Sequence, residues 1–351
     1  MKIEKIIPAY KSIIWGGEKL KTHYGKDTEL SPLAESWELS FHKDGKCTLL
    51  DGRALSDVAT ADDLGKNCQG FDFFPVLVKF IDACDKLSVQ VHPADEYALA
   101  NENSLGKTEM WYIADAEPGA GIYLGFKEEI SRETFERAIK ENTLTDYLKF
   151  IPVKPGESYF IPAGTIHAIC SGCLICEIQQ NSNITYRVYD YGRRDKDGNE
   201  RQLHVRQALD VTNTYPLEPR ELNIETKDGT LKGINKFFTA TYISVDGEKS
   251  FDYDGASFRH FCCLDGEGMI GDVQVKKGEG VFVPANHGSF KMSGNFTAMM
   301  TSIRQYHLIE ADGLVSVTND LGETIATEPM GDGAKDRVLA RCGLTLADII
   351  Y

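Results

Sequence analysis

Lys154–His167 reads "KPGESYFIPAGTIH", and Lys276–Asn286 reads "KKGEGVFVPAN". The two align without a gap, about 120 residues apart. Each has a Gly-Glu turn, a short apolar run and then Pro-Ala. Glycine at the turn and proline at the far end bound a short β-strand. A supersecondary unit repeated at this distance predicts two related β domains. The copies then diverge. Gly164 is followed by Thr165, Ile166 and His167, whereas the position matching His167 is Ser289 and His287 comes two residues early.

The rest of the chain agrees with a mainly β fold. "FPVLVKFID", "KLSVQVHP", "TEMWYIADA", "AGIYLGF" and "CLICEIQ" are short runs bounded by Gly, Pro or acidic residues, the signature of strands. Helical spacing is clearest in "SRETFERAIKENTLTDYLKF", with Ser131 as N-cap and Phe135, Ile139 and Leu144 following. A shorter helix is expected after Pro93, through "ADEYALAN". The expected division is a first β domain over 1–230, with a helical insert near 131–150, and a second over 231–351. Nothing like "QVH" or "GKTE" precedes the second copy at a comparable distance, so the second domain reads as the same scaffold without a metal site.

Composition narrows the function. The 351 residues are 42% hydrophobic and 26% charged, which fits a globular protein. No apolar run is long enough to cross a bilayer, and the start lacks a signal-peptide pattern. A net charge of −15 argues against nucleic-acid or membrane-surface partners. It leaves room for a small anion held by a few local cations. Nine cysteines are scattered without a paired framework, which suits a reducing, cytoplasmic setting. Cys170, Cys173 and Cys176 have a spacing that could hold a metal, but "HAICSGCLICEIQ" alternates as strand, turn, strand, with Cys as a small apolar filler.

"SVQVHP" puts Ser88, Gln90 and His92 on one strand face, and Val89 and Val91 on the other. Glu109 follows in "GKTEMWYI", with Lys107 two residues earlier on the same face. Imidazole and carboxylate suit a borderline dication, and a glutamine adds a neutral oxygen. Gln90, His92, Glu109 and His167 are therefore a candidate metal set. The spacing is equally compatible with ordinary structural polar residues, as read for His23, His42, His204, His260, His287 and His307.

These residues carry a resemblance. "GESYFIPAGTIH" is similar to the second cupin motif. The fuller set is "WGG" (Trp15–Gly17), "AESWELS" (Ala34–Ser40), "SVQVHPADEYA", "GKTEMWYI", "IPAGTIHAI", "NSNITYRVYDYGR" and "RQLHVRQAL". It resembles the short bacterial form of type I mannose-6-phosphate isomerases, in the right order to about Leu209. The resemblance implies two cupin-type jelly-roll β-barrels and one zinc ion per chain, held by Gln90, His92, Glu109 and His167. It implies catalytic roles for Arg187, Lys107 and Glu177, and substrate contacts by Lys79 and Ser88. Arg187 stands in "TYRVYD", where the longer forms have a "VRAG"-type arginine.

The implied reaction interconverts mannose 6-phosphate and fructose 6-phosphate through a cis-enediol. Glu177, Lys107 and a zinc-bound water are all open as the base. An iron-dependent cupin dioxygenase would keep HxH and Glu close together, whereas here Gln90 replaces the first His and Glu109 lies far downstream. A non-catalytic sugar-phosphate-binding cupin is the other alternative, and complete metal ligands beside Lys107 and Arg187 argue against it. "RRDKDGNER", from Arg193 to Arg201, reads as a solvated charged turn, and His204 as a packing or capping residue. Oligomeric state is not legible.

Overall fold

The repeat seen in sequence is also a repeat of backbone. Gly156 and Gly278 both sit in the left-handed region, at φ 95° and 84°, where a side chain would be strained. Ser158–Ile161 and Gly280–Val283 follow as strands in the same register of the alignment. In this computed structural model, which describes residues 1–194, 198–219 and 221–350, the chain forms two compact units.

One unit comprises residues 10–36 and 78–219. It holds a sandwich of two open antiparallel sheets, a jelly-roll architecture rather than a closed ring of strands. The five-stranded sheet runs, in order, Tyr186–Tyr189, Val89–Val91, His167–Ile169, Gly121–Phe126 and Leu148–Pro152. The other sheet includes Ser158–Ile161, Glu109–Ala116 and Cys173–Gln180, in that order, followed by Val76–Ala83. Trp111, Ile113, Leu124, Ile161, Ile169 and Ile175 fill one core. Val89 and Val91 point the opposite way, into a second core with Phe135, Ile139 and Ala208 from two covering helices. Each large apolar side chain buried in this way contributes about 1.5–3 kcal/mol.

The helical expectations hold in part. Arg132–Lys140 is a helix whose N-cap hydroxyl, on Ser131, accepts from Thr134 N at 3.1 Å. It stops at Lys140, with Asn142 at φ 57° just beyond. Leu144–Asp146 is a 3-10 turn, and Leu148 is already in a strand, paired with Phe126. The insert is thus shorter than 131–150, because a sheet edge takes its last residues. Asp95–Glu102 is the helix expected after Pro93.

The other unit comprises residues 1–9, 37–77 and 220–351. The contiguous division at 230/231 is therefore not the one the fold makes. Glu4–Ile7 pairs antiparallel with Gly280–Val283, with Glu4 opposite Phe282. This strand carries the chain start into a nine-stranded sheet built mostly from the C-terminal half. Past that sheet, Tyr306–Ala311, Leu314–Asn319 and Thr324–Pro329 form a small sheet packed by helix Ala334–Cys342.

Candidate metal centre

Strand pairing sets the site before any side chain is considered. In the five-stranded sheet, Arg187 lies opposite Gln90, Gln90 opposite His167, and His167 opposite Leu124. In the facing sheet, Ile161 lies opposite Glu109 and Glu109 opposite Gln179; one step along, Tyr159, Trp111 and Glu177 form a parallel row. Residues in register on neighbouring strands share a face. The polar face of "SVQVHP" is thus the inside of the sandwich, not a wet exterior.

His92, Glu109 and His167 converge there, at 1%, 0% and 0% exposure. Their ligand atoms lie within 4.8 Å of one another, the one such group among the described residues. Glu109 Oε1 is 3.3 Å from His167 Nε2, and Glu109 Oε2 is 3.5 Å from His92 Nε2. His167 Nδ1 is 2.9 Å from the Thr165 carbonyl oxygen. A carbonyl only accepts, so Nδ1 carries the proton and Nε2 offers its lone pair. When Glu109 is ionised, two acceptors, its Oε1 and His167 Nε2, therefore face each other across 3.3 Å. Glu109 Oε1 is buried and receives no hydrogen bond. Such a pair calls for a cation between them, and two imidazoles with one carboxylate suit a zinc-like ion. The Gln90 carboxamide nitrogen lies 3.4 Å from His167 Nε2. Exchanging the two ends of the amide would aim its oxygen at the same point.

The two imidazoles are in the charge state that ligation needs, and a bound cation would complete the ionisation of Glu109. Burial pushes Glu109 up to about 7, against the pull of Lys107. Burial lowers His167 to about 4 and His92 well below the usual imidazole value, with Lys107 adding to both shifts. Both rings are neutral near pH 7, so their lone pairs are free to ligate. Lys107 Nζ sits 3.0 Å from Glu109 Oε2 and 3.1 Å from His92 Nε2. Burial alone would lower its pKa, but Glu109 and Glu177 outweigh that and hold it charged.

The remaining candidates fall into two neighbouring groups. Glu177 accepts from the Trp111 indole N–H at 2.8 Å through Oε2, and its Oε1 lies 3.4 Å from Lys79 Nζ. Burial would raise this carboxyl, yet Lys107, Lys79 and Trp111 together keep it below the usual value. Lys79, only 3% exposed, also sits 3.6 Å from Glu35. Separately, Arg187 Nε donates to Ser88 Oγ at 3.2 Å. His204 Nδ1 accepts from Arg187 N at 3.2 Å, a packing and anchoring role as expected. Trp111 and Glu35 were not singled out from sequence. Trp111 was detectable in principle, two residues after Glu109 on the same strand face.

Cys170, Cys173 and Cys176 are buried free thiols. Burial pushes Cys170 up to about 11 and Cys173 up to about 12, as for packing residues rather than thiolate ligands.

Residues 3–125 match the model of the phosphomannose isomerase type I catalytic domain, and 228–303 that of the mannose-6-phosphate isomerase cupin domain. The chain is 35% identical over 294 residues to the mannose-6-phosphate isomerase of Streptococcus mutans, covering 80% of this chain and 92% of that one. It superposes on the crystal structure of the mannose 6-phosphate isomerase from Bacillus subtilis with a TM-score of 0.79 at 31% identity, covering 86% of this chain and 99% of that one. A crystal structure of a mannose 6-phosphate isomerase bound with zinc and yttrium shares the fold, with a TM-score of 0.71 at 17% identity, over 86% of this chain and 100% of the other. Identity above 30% across most of both chains leads to one conclusion: the chain belongs to the type I phosphomannose isomerase family.

Proposed function

We propose that this protein is a zinc-dependent aldose–ketose isomerase that interconverts mannose 6-phosphate and fructose 6-phosphate through a cis-enediol. The observation that carries the reading is the pair of facing acceptors, Glu109 Oε1 and His167 Nε2, buried beside a carboxylate held ionised. The names of the relatives supply the substrate. We further place the protein in the cytoplasm, since all nine cysteines are free thiols; among the described residues no helix is long and apolar enough to cross a membrane.

His92, Glu109, His167 and, by an amide turn, Gln90 would hold one zinc ion per chain. When bound, zinc supplies Lewis-acid polarisation of the sugar carbonyl and stabilises enediolate charge. The chain's own residues handle the proton. Glu177 is anchored through Oε2 by Trp111, which leaves Oε1 as the atom able to take a proton from carbon. A fixed carboxylate within reach is what general-base catalysis requires. Lys107 is held charged and so serves as a donor to developing negative charge rather than as the base. Arg187 keeps its charge at any working pH and faces the same chamber from the row containing Gln90.

The decisive experiment is a coupled isomerase assay on protein whose bound metal has been measured. One zinc per chain, loss of turnover on chelation and recovery with zinc are expected. Full turnover of mannose 6-phosphate by rigorously metal-free protein would overturn the mechanism. Iron-dependent oxygen uptake would favour the dioxygenase alternative, and sugar-phosphate binding without turnover the non-catalytic one.

A further inference from the structure

The turn that reads as solvated in sequence has two ends that are not. The Arg193 and Arg201 side chains are 16% and 22% exposed, and both reach Asp190, whose side chain is 6% exposed. Residues 195–197 of the turn lie outside the described residues. Arg201 donates to Asp190 Oδ2 through Nε at 2.7 Å and to Oδ1 through Nη2. Arg193 Nη2 reaches Oδ1 at 2.5 Å. Arg193 Nη1 also donates to the Lys86 carbonyl oxygen, two residues before Ser88.

One buried carboxylate therefore serves two guanidinium groups. A third, on Arg187, stands beside them; among the described residues its side chain hydrogen-bonds only neutral groups, Ser88 Oγ at 3.2 Å and the Gln202 carbonyl at 3.0 Å, and Asp190 acts on it through charge without pairing directly. Among the described residues the one further carboxylate in contact is Asp85, 60% exposed and 3.5 Å from Arg193, so it compensates weakly. Burial, and then the charge of Arg201, depress the Arg187 pKa; Asp190 opposes this and Arg193 adds to it, so the cations prevail. This local excess of positive charge stands in a chain with a net charge of −15.

The uncommitted donors are specific. Arg187 Nη2 and Arg201 Nη1 make no hydrogen bond to the described residues, and Ser88, which accepts from Arg187, keeps its own proton to give. Lys79, by contrast, is buried between Glu35 and Glu177, so its charge is already answered. Arg187 lies in the row Arg187–Gln90–His167. Arg187 thus lies one strand spacing from Gln90 and two, roughly 10 Å, from His167, a reach suited to an extended six-carbon chain.

We propose that Arg201, together with Arg187 and Ser88, seats a phosphomonoester dianion, with Asp190 and Arg193 as positioning residues that hold Arg201 in place. The identity of the sugar rests on the isomerase reading; the anion seat does not. Guanidinium is apt because its planar donors match phosphate oxygens in pairs.

The test uses zinc-loaded full-length protein, with inorganic phosphate and mannose 6-phosphate as probes. Arg201→Gln should weaken inorganic phosphate, measured by calorimetry and as a competitive inhibitor, by about tenfold or more. KM should rise by a similar factor while kcat stays within about threefold and bound metal is unchanged. Arg201→Lys should restore part of the phosphate affinity. Arg194→Gln, on the exposed side of the same turn, where Arg194 pairs with exposed Glu200 and donates to the Gly198 carbonyl, should change nothing. If Arg201→Gln and Asp190→Asn both fold, as judged by melting, and keep wild-type phosphate affinity and KM, the seat is wrong and the isomerase reading stands. If wild type binds phosphate through Arg201 but does not turn over mannose 6-phosphate, the seat stands and the isomerase reading falls.

Discussion

Glu109 and Arg259 hold equivalent places in the two copies of the repeated strand. Ile161 closes the first copy and pairs with Glu109; Val283 closes the second and pairs with Arg259. The equivalence continues inward. Trp111 pairs with Glu177 in the first, and Phe261 with Met300 in the second. The candidate metal carboxylate and the candidate base are thus matched by arginine and methionine, and His167 by Ser289. Arg259 is instead answered by Asp254 at 2.6 Å.

Metal stoichiometry follows. Elemental analysis should find one zinc per chain, and His167→Ala should remove both the metal and the activity while circular dichroism stays native. A His167→Ala protein that still holds one tightly bound zinc would show that the ligand set is wrong.

Glu177→Gln should leave the metal in place and lower kcat by about 10²–10⁴-fold, the usual scale for a lost general base. Zinc content and kcat measured on the same preparation decide it. A variant with wild-type kcat would remove Glu177 from the mechanism.

Trp111→Phe keeps most of the ring volume but deletes the N–H that holds Glu177 Oε2 at 2.8 Å. A donor to the charged form lowers a carboxyl pKa. Its loss should raise the Glu177 pKa and move the acidic limb of the kcat–pH profile to higher pH. The orphaned oxygen should cost about 1–3 kcal/mol of stability, read by urea melts. An unmoved limb would count against Glu177 as the titrating base.

Asp254 joins Arg259 and Arg304, at 2.6 and 2.8 Å, in a largely buried cluster. Burial would raise its pKa, but the two arginines hold it below the ordinary 3.8. Its folded pKa is depressed, so its contribution is present above 3.8 and is lost as pH falls through the lower folded value. Asp254→Asn removes the ion pair of buried Arg259 and leaves Arg304 the more distant Asp320, at 3.7 Å, and should cost about 3–5 kcal/mol at neutral pH. The difference from wild type should shrink in acid. Equal stability loss at pH 7 and in strong acid would contradict this assignment.

Much of the site was legible along the chain because its signals are local. A Gly-Glu turn, a short apolar run and a proline mark the repeat wherever they occur. Two-residue alternation alone puts Gln90 and His92 on one face, and Lys107 and Glu109 on another. Ser131 marks its helix start by the same kind of short-range chemistry. The partners were not legible, because they are joined across distance. That Glu109 meets His167, that Asp190 gathers Arg193 and Arg201, and that Glu4–Ile7 completes a sheet from the other end of the chain are all outcomes of strand pairing. The end of the helix at Lys140 belongs with them, since a sheet edge claimed the residues that follow. Sequence by itself determined which side chains share a strand face, through the fixed period of the extended backbone. Only the tertiary structure decided which faces meet, because that depends on burial and charge compensation between segments far apart in the chain.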